Sequence, residues 1–370
     1  MEIFLIIIVA VGLAYANGAN DNFKGVATLL GSGTSNYRAA LLWATVTTLL
    51  GSLTAVWLAG QLLHNFSGKG LVAASLVADG HFVAAVALGA AVTILLATWI
   101  GMPISTTHSL IGGLLGAAWS AGSAISGDKL ANSFFLPLLL SPPLAVAITV
   151  LCYLFFRRAR QRLGVTRDTC FCVGTQTLEV VTVMDSAAAM QRAESLSASI
   201  GDTVECRDQY AGQVLGIDAA ATLDRLHFLS AGSVSFARGL NDTPKIAALL
   251  LFVPRLSPSM GVALIAAAIA VGGWISARRV AEVMSSKITR MNHGQGFTAN
   301  LVTAAVVIGA SRLGMPVSTT HVSCGSLFGI GALTGNARWK TIATILLAWV
   351  TTLPVAALLA ALAFKFTTVF

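Results

Sequence analysis

Five stretches of this chain, Leu41–Leu63, Phe82–Thr107, Phe134–Phe156, Met260–Ala277 and Thr341–Phe364, carry no charged side chain from end to end. About 20 apolar residues in a helix cross a hydrocarbon core of roughly 30 Å, and each stretch is close to that length or longer. Inside lipid the backbone must satisfy its own polar groups, and an α-helix does so within one segment. The expectation is an all-α polytopic membrane protein. Only 10% of the 370 residues are charged, and the mean hydropathy is +0.80. Met1–Ala16 lacks a basic flank and runs into a polar motif, so it reads as a first span rather than a cleaved signal.

The chain repeats itself. Gly101-Met-Pro-Ile-Ser-Thr-Thr-His108 returns in the second half as Gly314-Met-Pro-Val-Ser-Thr-Thr-His321. Each copy closes an apolar run and opens one of small residues. Proline fits the first turn of a helix, where its missing N–H is no loss. Each copy therefore predicts a break followed by a new helix N-terminus, whose free N–H groups and hydroxyls suit an anion. A second signal, Gly-x-Asn-Asp-x-x-Lys, occurs at Gly18–Lys24 and again at Gly239–Lys245. Both signals come in the same order in both halves. Polar breaks at matching places in two hydrophobic halves point to a transporter binding site.

With about five crossings per half (1–30, 37–63, 82–100, 103–120, 134–156; 230–253, 259–277, 297–313, 315–333, 340–364), an odd number inverts the second half relative to the first. The segments 103–120 and 315–333 read either as spans or as re-entrant hairpins. An outside N-terminus puts twelve Lys and Arg on the inner face and five on the outer, the usual positive-inside bias. The net charge of +8 thus follows topology, and nucleic acid is not an expected partner. The domains expected are 1–160, an insert at 161–228, and 229–370. Leu163–Leu226 holds nine of the fifteen acidic residues. It reads as a small soluble, cytoplasmic α+β insert, with strands at Leu178–Met184 and Gln213–Ile217 and a helix at Ser186–Ser197. Cys170, Cys172 and Cys206 with His227 match no common zinc spacing, and reduced thiols are expected.

Outside the insert and loops, the ionisable groups placed at membrane depth are Asp21, Lys24, Asp242, Lys245, His108 and His321. Such groups are costly in a span and line pathways or pair with one another. Plainer roles exist for each. Ser and Thr in spans bond the carbonyl one turn back. Asp21–Lys24 and Asp242–Lys245, three residues apart, can be local ion pairs. The histidines can cap or pack rather than relay protons, and Glu282 can pair with Arg278 or Arg279 at the surface.

The doubled Asn-Asp and doubled Pro-x-Ser-Thr-Thr-His motifs closely resemble the inorganic phosphate transporter (PiT) family, over both hydrophobic halves. The resemblance implies a secondary carrier of orthophosphate, not an enzyme, in the cytoplasmic (inner) membrane. It implies sodium or protons as coupling ion, no cofactor, and a site where the repeats meet; a homodimer is the expected assembly in the lipid. Ser105, Thr106, Ser318 and Thr319, with Asn20, Asn241, Lys24 and Lys245, would surround the phosphate. Asp21 and Asp242, with Asn20, Asn241, Thr107 and Thr320, would offer oxygen ligands to the cation. Asn17 and Asn22 would be secondary ligands. His108 and His321 are the candidate proton relay. Where the family's first motif continues with small residues and another Asn, this chain has Asn22-Phe23-Lys24-Gly25, whose cation bears on sodium coupling. The rival readings are a carrier for sulfate or another tetrahedral oxyanion, a channel, and an intramembrane hydrolase pairing Ser105 or Ser318 with His108 or His321.

Overall fold

A computed structural model of the protein describes residues 2–184, 187–202, 214–251, 253–254 and 256–369. The chain divides into a helical unit, Met1–Tyr153 with His227–Phe370, and a smaller one, Leu154–Leu226. Ten long helices occur among the described residues. Five precede the insert: α1 (Glu2–Asp21), α2 (Tyr37–Leu58), α3 (Gly80–Trp99), α4 (Thr106–Ser120) and α5 (Leu136–Arg162). Five follow it: α6 (Ala219–Ala247), α7 (Pro258–Ser276), α8 (His293–Arg312), α9 (Thr319–Thr334) and α10 (Trp339–Val369).

Among the described residues, six segments are long and apolar enough to cross a membrane, those of α1, α2, α3, α5, α7 and α10. Helices α4 and α9, at 15 and 16 residues, reach about 22–24 Å at 1.5 Å per residue, short of a hydrocarbon core. Their starts are set locally. Ser105 caps α4 and Ser318 caps α9, each accepting the backbone N–H three residues on. Asn36 caps α2, Ser257 caps α7 with Pro258 in the first turn, and Asn292 with Gln295 forms a capping box on α8. The outer faces of α2, α5 and α10 carry exposed Leu50, Leu139, Leu347 and Val350. That apolar surface suits lipid rather than water.

The duplication continues into packing. A Cβ on Gly18 of α1 would lie 2.0 Å from the Ile269 carbonyl oxygen of α7, and one on Gly239 of α6 would lie 2.2 Å from that of Thr48 in α2. The glycines of the two contacts are related by the same shift in sequence as the Asn-Asp motifs, as are the helices they meet. So each half sends its motif-bearing helix against the second helix of the other half, close enough that only glycine fits. Small residues at such crossings let helix backbones approach in the absence of a water-driven force.

In the smaller unit, β1 (Thr169–Met184) pairs antiparallel with β2 (Ala187–Asp202) and with β3 (Val214–Asp218), in the order β2-β1-β3. The helix expected at Ser186–Ser197 is not formed: residues 187–197 lie in β2. Helix preference in its Ala, Met, Gln and Glu residues amounts to tenths of a kcal/mol each. A ladder running from Thr169↔Asp202 to Met184↔Ala187 overrides it.

Candidate functional site

Each duplicated octapeptide builds the same device. Helix α3 stops at Gly101, which takes φ +77°, and α8 stops at Gly314, φ +69°. The N–H of Gly101 bonds the Thr98 carbonyl (3.0 Å) and that of Met102 the Ala97 carbonyl (2.8 Å). Gly314 and Met315 bond Ser311 and Ala310 in the same way, at 3.2 and 2.9 Å. These are Schellman stops, which need a left-handed residue. Pro103 and Pro316 lie two residues before the capping serines, outside the helices. The expectation of proline in the first helical turn is therefore corrected: it prevents the old helix from continuing, and Ser105 and Ser318 start the new one. The first N–H groups of α4 and α9 have no partner within their own helices.

The Asn-Asp motifs meet the breaks. Asn17, Asn20, Asp21, Lys24, Ser105, Thr106, Arg238, Asn241, Asp242 and Lys245 are all at most 3% exposed. The Lys24 ammonium pairs with Asp21 and donates to the Ile104 carbonyl (2.8 Å) and the Thr320 hydroxyl (2.5 Å). The Lys245 ammonium lies 3.6 Å from Asp242 and donates to the Val317 carbonyl (2.7 Å) and the Thr107 hydroxyl (2.8 Å). The two lysines thus each reach both breaks: Lys24 takes a carbonyl from the first and a threonine from the second, and Lys245 the converse. Thr320 donates in turn to the Ile104 carbonyl at 2.7 Å, and Thr107 to that of Val317 at 3.4 Å. The ion pairs anticipated from the three-residue spacing are present.

Asn20 and Asn241 grip the breaks. Asn20 donates to Thr98 and to the Met102 carbonyl and accepts the Ile104 N–H (3.1 Å). Asn241 donates to Asp242 (2.9 Å) and the Val317 carbonyl, and accepts from Ser311. The Thr106 hydroxyl faces Asp21 and the Thr319 hydroxyl faces Asp242, each at 3.4 Å. Between the carboxylates sits Asn17, whose amide donates to Thr106 at 2.8 Å and lies 3.3 Å from both Asp21 and Asp242.

A further buried charge, which the doubled motifs do not contain, lies beside the cluster. Arg238, 1% exposed, reaches the amide oxygens of Asn17 (3.4 Å) and Asn22 (3.3 Å) with its two terminal nitrogens. Its Nε has no hydrogen-bond partner among the described residues. The one mark it bears in the sequence is its place: Arg238 directly precedes the second Gly-x-Asn-Asp, where Asn17 stands before the first. It is a place where the halves differ.

The His108 and His321 rings meet edge to face at 4.6 Å, and His321 stacks on Trp349 at 4.0 Å. His108 Nδ1 and His321 Nε2 have no partner among the described residues. The hydroxyls of Ser105 and Ser318 accept backbone N–H groups of those histidines at 3.1 and 3.3 Å, as helix caps. Elsewhere, Arg278 pairs with Glu282 at 3.6 Å on the surface, while Arg279 donates to the Trp99 carbonyl. The ring nitrogens of His227 lie 3.1 Å from the Thr34 and Thr28 hydroxyls. Cys172 is disulfide-bonded and Cys170 is a free thiol, which corrects the expectation of reduced thiols for Cys172. Cys206 lies outside the described residues. No metal-binding group of His, Cys, Asp and Glu occurs among those described.

Six segments apolar and long enough to span a membrane among the described residues, around a buried polar centre at paired helix breaks, define a multi-pass membrane protein. Residues 17–360 match the profile of the phosphate transporter family, and the chain belongs to that family. It is 28% identical to a "Probable low-affinity inorganic phosphate transporter" of Rhizobium meliloti, over 97% of this chain and 94% of that one. A protein of Bacillus subtilis with the same name is 27% identical over 97% and 95%. The fold matches a solved structure described as "The sodium-dependent phosphate transporter" with a TM-score of 0.77, at 19% identity, over 100% of this chain and 99% of that one. Family and relatives are transporters and permeases, which sets the hydrolase reading aside.

Proposed function

We propose that this protein carries inorganic phosphate across the cytoplasmic membrane by alternating access, coupled to a cation, either sodium or a proton. The observation that carries the reading is the meeting of both helix breaks at one buried cluster, each stitched to the other by a lysine. In this reading the halves are inverted repeats, and the anion binds between the N-termini of α4 and α9. Ser105, Thr106, Ser318 and Thr319 supply hydroxyls from two sides, and the first N–H groups of the two helices add backbone donors. Asn20 and Asn241 hold the breaks so that those donors converge. Lys24 and Lys245 neutralise Asp21 and Asp242 in the closed cluster. Asp21 and Asp242 accept from the substrate's own O–H, and His108 and His321 remain the candidate proton relay.

That contact of the carboxylates separates phosphate from sulfate. Hydrogen phosphate has an O–H to donate to a carboxylate, whereas sulfate offers only acceptors. A site built to receive a hydrogen bond rejects a ligand lacking it, because a buried acceptor is left unpaired. Radiolabelled phosphate uptake into proteoliposomes is expected to saturate and to persist in a hundredfold excess of sulfate. Loss of uptake under sulfate would make this an oxyanion permease of another specificity, and flux that never saturates would make it a channel.

A further inference from the structure

From the surroundings of the two buried ammonium groups we infer that Lys24 and Lys245 are the resident cations of the transport site, so that phosphate is bound and carried without sodium. The inference rests on the carrier reading above. An ammonium has three N–H donors and no acceptor. Lys24 spends them on the Asp21 carboxylate, the Ile104 carbonyl and the Thr320 hydroxyl. Lys245 meets the matching set: it donates to the Val317 carbonyl and the Thr107 hydroxyl and pairs with the Asp242 carboxylate at 3.6 Å. Carboxylate, carbonyl and hydroxyl oxygens are the ligands that a hard metal cation takes in a protein. Here the protein's own compact point charge already fills that oxygen set at both breaks.

A sodium ion entering either place would meet an ammonium already bonded to the same oxygens. Two like charges a few ångströms apart repel far more strongly in a water-excluded interior than in solution. Moving a lysine aside would break three polar contacts at a residue that is at most 3% exposed. The charge balance removes the need for sodium as well. Lys24, Lys245 and Arg238 carry three positive charges, and Asp21 and Asp242 carry two negative ones. The cluster is left one positive charge in excess, enough to balance a phosphate monoanion. Arg238 supplies that excess, with an Nε that no described residue engages. The lysine hydrogen bonds also cross between breaks, so a fixed cation keeps the two anion-facing helix ends in register. The remaining candidate for coupling is a proton.

The test uses the full chain in proteoliposomes under one inward proton gradient, with sodium or choline as the external salt. Wild-type phosphate uptake is expected to agree within twofold between the two salts. Sodium should raise the unfolding temperature of the detergent-solubilised wild type no more than choline does. In the double variant Lys24→Ala with Lys245→Ala, both oxygen sets lose their ammonium, and sodium but not choline is expected to raise the unfolding temperature. A tenfold or greater rise of wild-type uptake with sodium would overturn the inference and leave the carrier reading intact. A folded double variant indifferent to sodium would overturn it too. Should that variant not fold, the wild-type comparison decides alone. No phosphate uptake in either salt would sink the carrier reading itself, and this inference with it.

Discussion

Asp21→Asn and Asp242→Asn are each expected to lower the initial rate of phosphate uptake by two orders of magnitude or more. Asparagine keeps the size of the side chain and one acceptor oxygen but removes the charge. Asp21 answers Lys24, Asn17 and Thr106, while Asp242 answers Lys245, Asn17, Asn241 and Thr319. Removing one partner of a buried pair leaves the other charge uncompensated, at a cost of about 3–5 kcal/mol. At about 1.4 kcal/mol per factor of ten, that corresponds to roughly a hundredfold to a few thousandfold. The same substitution exchanges the charged acceptor proposed for the substrate's O–H for a neutral amide oxygen, a weaker one. Uptake rates normalised to reconstituted, monodisperse protein separate transport from folding. Rates within threefold of wild type in both variants would show that the carboxylates do not act in transport.

The second large effect falls on Arg238. Arg238→Gln is expected to raise the KM for phosphate by about tenfold to a hundredfold, since a hydrogen bond to a charged group contributes about 1.5–3 kcal/mol. Arg238→Lys should not restore it. A lysine has no planar fork to reach Asn17 and Asn22 together, and its smaller, strongly hydrated head is worse matched to an oxyanion. A purely structural arginine would give a different pattern: lost folded protein, with an unchanged KM for whatever remains. Uptake kinetics over a range of phosphate concentrations distinguish the two.

What the sequence made legible was whatever follows a period or a repeat. Uncharged runs predict helices, and the copied octapeptide predicts two equivalent breaks. The shift that relates the two Asn-Asp motifs also proves to relate the close helix crossings at Gly18 and Gly239. Four features were less legible, for physical reasons. The role of Pro103 and Pro316 depends on Gly101 and Gly314 taking positive φ, and a left-handed glycine leaves no mark distinguishing it from an ordinary one. Residues 187–197 carry local helix preference, and their strand state comes from pairing with β1, a partner outside the window. Arg238 looks like one cation at the edge of an apolar segment until α6 is seen packed against α2 and its side chain found between Asn17 and Asn22. The exchange of partners across the breaks is likewise tertiary. Nothing local says that Lys24 reaches Thr320, in the other half of the chain, rather than Thr107.

In the proposed mechanism one anion is held jointly by both breaks. Equilibrium binding of radiolabelled phosphate to the purified carrier tests it most directly, with Thr106→Val and Thr319→Val measured separately. Valine keeps the shape of threonine and removes the hydroxyl, so each variant loses one donor to the anion, worth about 1.5–3 kcal/mol. Both variants are expected to weaken phosphate binding about tenfold to a hundredfold, and to similar degrees. Loss in one variant with wild-type affinity in the other would contradict a shared site, and wild-type affinity in both would place phosphate away from the breaks altogether.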